Sequence, residues 1–289
     1  MEKLSISISI SKLAIALITA LMLISCSNQT KEKAKKNDWE KDNLKGKVKT
    51  LTEFRYEAED RFGKIEKIKS WGGEEKYYDE RGNLVEEKSY DSDGKLTGKS
   101  AYKYDERGNL IEWSYYDLGG NLISKSAYKY DERGNLIEKN RYDSGGKLRG
   151  KLAFKCDERG NMIEQSHYDS GGNLERKYTY KYDERGIPIE GYEYDSGGNL
   201  KNKHKYDERG KKIEESDYDL GGNLISKFAY KYDERGNMIE WSYYNPGGNL
   251  KGKYTFKYEF DEQGNHIKDF SFLNEIPKSV IERKYEYYK

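Results

Sequence analysis

Tyr104-Asp105-Glu106-Arg107-Gly108-Asn109-Leu110 is followed, after five residues, by Tyr116-Asp117-Leu118-Gly119-Gly120-Asn121-Leu122. Both reduce to aromatic-Asp-x-x-Gly-(Asn or Lys)-aliphatic, which is turn chemistry. Asp accepts from backbone N–H groups ahead of it, and Gly supplies a positive φ without a Cβ clash. The first phrase also starts at Tyr78, Tyr130, Cys156, Tyr182, Tyr206, Tyr232 and Phe260, with spacings over the whole series of 26, 26, 26, 26, 24, 26 and 28 residues. The second also starts at Tyr90, Tyr142, Tyr168, Tyr194, Tyr218 and Tyr244. Self-similarity at a fixed period marks an array of small supersecondary units. Fifteen such turns imply about sixteen strands.

The segments between turns, such as Leu110 to Tyr116 and Leu122 to Tyr130, have strand length and are too short for stable helices. Every spacing is even, so the aromatics and aliphatics of the phrases keep one parity, and period-2 alternation assigns them to one face. That face would carry Leu110, Tyr116, Leu122, Tyr128 and Tyr130. The other would carry Ile111, Trp113, Tyr115, Ile123 and Lys125, half wet. Short turns join only antiparallel neighbours. The expected fold is therefore all-β, a repetitive antiparallel meander of about sixteen strands in a curled or spiralling sheet with its Tyr/Leu face inward. An extended single-layer sheet is the alternative, kept open by a hydrophobic content of 34% and a mean hydropathy of -1.12.

The ends differ from the array. Lys3 and Lys12 precede an apolar run from Leu13 to Ile24, the length of a signal-peptide core and short of a membrane span. Leu23-Ile24-Ser25-Cys26 resembles the bacterial lipoprotein lipobox, which implies cleavage before Cys26 and acylation of its sulfur. The expected organisation is a signal peptide over 1–25, a lipidated Cys26 with a flexible Lys-rich tether over 26–46, and a repeat domain over 47–289. Degenerate caps are expected at both ends of that domain, one at Asp60-Arg61-Phe62-Gly63-Lys64-Ile65 and one beyond Phe270. Removing residues 1–25 takes away Lys3, Lys12 and Glu2, so 53 − 2 and 52 − 1 leave 51 charges of each sign. A neutral surface argues against a nucleic-acid partner. Cys156 fills a slot held by Tyr in most copies and reads as a small buried side chain.

The iterated phrase resembles the YD repeats of the Rhs family, also found in teneurins and insecticidal toxin shells, over roughly residues 54–268. The resemblance implies β-hairpins strung into a spiralling sheet. Family cargo encapsulation is not implied: the terminal core region and toxin cargo are absent, and the sheet is too short for a large shell.

Catalysis finds no support in the pattern. His167, His204 and His266 fall in three repeats without partners at ligand or triad spacing, and read as solvent-facing strand residues. Asp79, Glu80 and Asn83, and Asp91-Ser92-Asp93-Gly94, could ligate calcium but fit turn capping better, so no metal and no cofactor is expected. One column varies between copies: Glu87, Trp113, Lys139, Gln165, Gly191, Glu215 and Trp241. Trp113 with Tyr115, and Trp241 with Tyr243, are the candidate binding residues, able to stack on a glycan ring or a partner protein. The expected function is a noncatalytic binding or adhesion scaffold for a glycan or protein, lipid-anchored in a bacterial envelope, with the outer membrane as the expected site. The alternative is a periplasmic structural, assembly or inhibitor (immunity-like) protein.

Overall fold

A computed structural model describes residues 36–289. Eighteen antiparallel strands form one sheet in sequence order, and the last pairs with the first, so the meander closes into a barrel. β1 (Val48–Arg61) and β2 (Lys64–Tyr78) form a long first hairpin, and β17 (His266–Leu273) and β18 (Ile276–Tyr287) form the last. Between them run β3 (Leu84–Tyr90), β4 (Leu96–Tyr104), β5 (Leu110–Tyr116), β6 (Leu122–Tyr130), β7 (Leu136–Asp143), β8 (Leu148–Cys156), β9 (Met162–Asp169) and β10 (Leu174–Tyr182). The series continues with β11 (Pro188–Asp195), β12 (Leu200–Tyr206), β13 (Lys212–Tyr218), β14 (Leu224–Tyr232), β15 (Met238–Tyr244) and β16 (Leu250–Phe260).

The fifteen phrase turns join β2 through β17, which accounts for sixteen strands; β1 and β18 are the two the phrase does not announce. Closure removes the extended single-layer alternative. It also replaces the expected caps, because each end strand covers the other's edge and no free edge remains to protect. The segment Asp60 to Ile65 is the β1–β2 turn, with Gly63 N–H donating to Asp60 Oδ1.

Each phrase folds as its chemistry requires. In the β6–β7 turn Gly134 N–H donates to Asp131 C=O at 3.0 Å, Asp131 N–H to Asn135 C=O at 2.9 Å, and Gly134 takes φ 82°. Asp131 Oδ1 accepts from Asn135 N–H, and Oδ2 from the Asn135 amide, each at 2.8 Å. At Asp117 the equivalent hydrogen bonds, from the Asn121 side chain first and then its backbone N–H, hold the carboxyl below the usual carboxylate range. Asn245 caps the β15–β16 turn with its Oδ1, so the oxygen rather than the charge is what the turn needs. Asp131→Asn is therefore expected to stay within about 0.5 kcal/mol of the parent, and Asp131→Ala to lose about 1–2 kcal/mol, read from urea midpoints. Equal midpoints for parent and alanine variant would show that the turn does not depend on the cap.

The one-face assignment is overturned by a single residue. Tyr104 pairs with Leu110, but Lys103 pairs with Glu112, leaving Ile111 as an extra residue in the ladder. Ile123 plays the same part after Leu122, and Ile137 after Leu136. Such bulges invert parity beyond them. Tyr102 consequently faces the same side as Trp113, and Trp113 the same side as Ser126. The Tyr104–Leu110 pair lies on the inner wall, where Tyr130 Oη donates to Leu110 C=O, whereas Tyr116–Leu122 lies on the outer wall.

The segment expected to be a tether through residue 46 is packed in its last part. A one-turn helix, α1 (Asp38–Lys41), has a capping box of Asn37 and Glu40. Asp38 Oδ2 accepts from Leu84 N–H and Tyr104 Oη, and Trp39 Nε1 donates to Val48 C=O at 2.7 Å. These contacts seat α1 at one rim of the barrel beside Val48, Leu51, Tyr78 and Leu84.

Candidate functional site

Closure turns one face of the sheet into a lumen. At ~4.8 Å per strand a ring of eighteen has a circumference of about 86 Å and a width of about 27 Å, which lining side chains do not fill. The three apolar clusters are local to their own strands: one around Val48, one of Leu152, Phe154 and Met162, and one of Phe228, Tyr230 and Trp241. Cys156 packs half-buried on the second.

The two walls differ in charge arrangement. Outside, six glutamates each lie between two lysines from neighbouring strands, as with Glu112 between Lys103 at 2.8 Å and Lys125 at 2.6 Å. Lys103, Lys129, Lys155, Lys181 and Lys231 are 62–68% exposed. A lysine at the bilayer midplane costs ~2–4 kcal/mol, so this wall is built for water and not for lipid. Among the described residues no helix is long and apolar enough to cross a membrane.

Inside, charges are gathered into sectors. At the closing seam Arg283 Nε donates to Glu53 at 2.6 Å and Nη1 to Asp269 at 2.7 Å, with these side chains 8–18% exposed. On β12 and β13, Asn202 donates to Glu215 and Asp217, and Glu215 Oε2 accepts from Lys212 at 2.6 Å and Tyr230 Oη at 2.9 Å. Burial raises the Glu215 carboxyl, but Lys212 and His204 outweigh it and hold the group down at about 2. On β7, β9 and β10 the lining is basic, with Lys139, Arg141, His167 and Arg176.

The histidines do not face solvent outside the barrel, contrary to the sequence expectation. His167 stands on the lining with its ring 5.3 Å from Tyr178, and burial with Arg176, Arg141 and Lys139 pushes it down to about 4. His204 is 16% exposed and pushed to about 4 by burial and Lys212; its Nδ1 has no hydrogen-bond partner among the described residues and lies 3.8 Å from Glu215 Oε2. His266 bridges Asp269 and Asn237. Bulges after Met162 and Leu200 put His167 and His204 inside, and His266, paired with Phe260, holds the inner-wall position of Leu110. Asp79 acts as a turn cap: Oδ1 accepts from Arg81 and Asn83 N–H, and Oδ2 from the Asn83 amide.

All four candidate binding residues face the lumen, on the strands of the varying column, but the two pairs are not equivalent. Trp241 is 3% exposed, with Phe228 parallel at 5.8 Å, Tyr254 at 4.8 Å and Tyr243 at 5.9 Å. Trp113 is half-exposed and stacks on Tyr115 at 6.4 Å and 13°. The difference lies one strand along: Trp113 pairs with Ser126, Trp241 with Tyr254. Trp113 and Tyr115, both partly exposed, thus remain an available platform, while Trp241 serves packing. Cys26, the expected lipidation residue, lies outside the described residues.

No protein-family model matches the chain, and no curated protein matches it. Among solved structures, a porin-like protein from Bacteroides uniformis is similar at a TM-score of 0.45 and 10% identity, over 83% of this chain and 96% of that one. A porin-like protein from Bacteroides vulgatus is similar at 0.37 and 12% identity, over 81% and 99% of the two chains. The Photorhabdus luminescens Tc holotoxin pore is similar at 0.32 and 16% identity, over 74% of this chain but only 12% of that one.

Proposed function

We propose that the protein is an envelope lipoprotein, held to a membrane by acyl chains on Cys26, whose barrel is a noncatalytic receptor that takes a glycan or protein segment into its lumen. The observation that carries this reading is the placement of the varying column. Glu87, Trp113, Lys139, Gln165, Gly191, Glu215 and Trp241 all line the inner wall, while the outer wall repeats one Lys–Glu–Lys arrangement from strand to strand. Sequence freedom inside a uniform shell is the distribution expected of a binding cavity. The outer rim of Tyr–Leu pairs, such as Tyr116–Leu122, favours the second reading, assembly with or inhibition of an envelope partner.

The test is a screen of immobilised glycans and detergent-solubilised envelope proteins with parent, Trp113→Ala and Tyr116→Ala. Ligands lost at least about tenfold by Trp113→Ala and kept by Tyr116→Ala bear out a luminal receptor. Ligands kept by Trp113→Ala and lost by Tyr116→Ala would replace it with outer-wall docking. Protease access to the barrel on intact cells, against permeabilised ones, then assigns the side of the outer membrane.

A further inference from the structure

The lining and the outer wall treat cations differently. Outside, twelve lysines of the ladder each lie within 4.0 Å of a glutamate. Inside, Lys139 and Arg141 have no carboxylate partner among the described residues; Lys139 lies over the Tyr128 ring at 5.1 Å, and Arg141 extends across Gly150. They stand two residues apart on β7, about 6.6 Å along the strand. Lys139 pairs with Leu152, Leu152 with His167, and His167 with Arg176, so Arg176 stands three strand steps, roughly 14 Å, from Lys139 with the neutral His167 ring between them. At the far end Arg176 has carboxylates near it, Glu193 at 3.6 Å and the adjacent Glu175. Burial first, and then the charge of Arg141, pushes the Lys139 ammonium below its usual value. Ser126 pairs with Trp113 on one side and with Arg141 on the other, so the half-exposed Trp113–Tyr115 stack stands two strands from the cations.

Lys139 and Arg141, close together and without carboxylate partners among the described residues, repel one another, and an anion between them relieves that repulsion. We infer that the inner wall at Lys139, Arg141, His167 and Arg176, beside the Trp113–Tyr115 platform, is a binding site for an oxyanion-bearing ligand, its phosphate or carboxylate groups on the cations and its body against the tryptophan. This inference rests on the luminal-receptor reading and gives it a ligand chemistry. Arginine and lysine on neighbouring positions suit phosphate and carboxylate alike, so the two sources are separated by experiment.

Inorganic pyrophosphate and citrate are titrated by calorimetry into the full-length mature protein at low salt, with melting temperature followed in parallel. Binding of at least one, with a rise in melting temperature, is expected; pyrophosphate alone identifies a phosphate ligand and citrate alone a carboxylate. Lys139→Gln/Arg141→Gln should lose at least about tenfold in affinity, ~1.4 kcal/mol. Without anion it should melt close to the parent, since the repulsion it loses offsets the lost Lys139–Tyr128 contact and no carboxylate is left unpaired. The outer-wall variant Lys125→Gln/Lys151→Gln should bind as the parent does. Absence of binding by both probes, or equal losses in the two double variants, overturns the inference. Should neither anion bind while another ligand is still lost in Trp113→Ala, the luminal receptor stands and its anionic chemistry falls.

Discussion

Excision of residues 131–156, which carry β7 and β8, is expected to yield a folded sixteen-stranded barrel, whereas excision of 131–142, which carries β7 alone, is expected to abolish closure. The first deletion joins Tyr130 to Asp157 and so rebuilds the turn phrase. It removes one inward and one outward bulge together and leaves an even number of strands, so the last strand still meets the first antiparallel. The second joins Tyr130 to Asp143, also a good turn, but seventeen strands would bring β18 alongside β1 in parallel. The antiparallel register, from Val48 opposite Tyr287 to Glu57 opposite Ser279, could not form, and two edges would be exposed to association. Circular dichroism, gel filtration and thermal melting of both deletions decide the matter. A monomeric, cooperatively melting product from the 131–142 deletion would mean that closure does not govern stability.

The second large effect is expected at the seam. Arg283 lies between Glu53 on β1 and Asp269 on β17, and its removal leaves two poorly solvated carboxylates. Arg283→Met should cost about 3 kcal/mol at pH 7, the range found when one partner of a buried ion network is deleted. Burial pushes the Glu53 carboxyl up, but Arg283 and Arg55 outweigh it and leave it below its ordinary value. Burial also raises Asp269, where the hydrogen bond from His266 and the charge of Arg283 prevail. Carboxyls depressed in the folded state contribute stability above their unfolded pKa, about 4, and the contribution is lost as pH falls through the lower folded values. Without Arg283 the burial effect dominates, the carboxyls titrate higher, and their cost is relieved on acidification. The gap between parent and variant should therefore narrow from pH 7 to pH 5, measured by urea unfolding. A gap of the same size at both pH values would assign Arg283 a packing role only.

Strand class and hairpin positions were legible because each turn repeats its own local instruction: Asp for capping, Gly for φ near 80°. The count fell two short because the terminal hairpins use other chemistry. The β17–β18 turn places Asn274 and Glu275 at φ 49° and 71° with no glycine, and the β1–β2 turn places Phe62 and Gly63 at φ 55° and 80°. The candidate site was half legible. The varying column follows from the repeat period, yet what separates Trp113 from Trp241 is the cross-strand neighbour, Ser126 in one case and Tyr254 in the other. Lys139 was already in the column, but its lack of a carboxylate emerged only from the pairing.

The sequence by itself determined an antiparallel β meander, its turns and its 26-residue period, since these depend on contacts within a few residues. Tertiary structure alone decided that the sheet closes and which face lies within. Closure depends on twist summed over eighteen strands and on a seam joining residues more than two hundred apart. The inner face depends on one extra residue per hairpin, Ile111 or Ile123, whose position in the ladder is fixed by the partner strand and not by its own side chain.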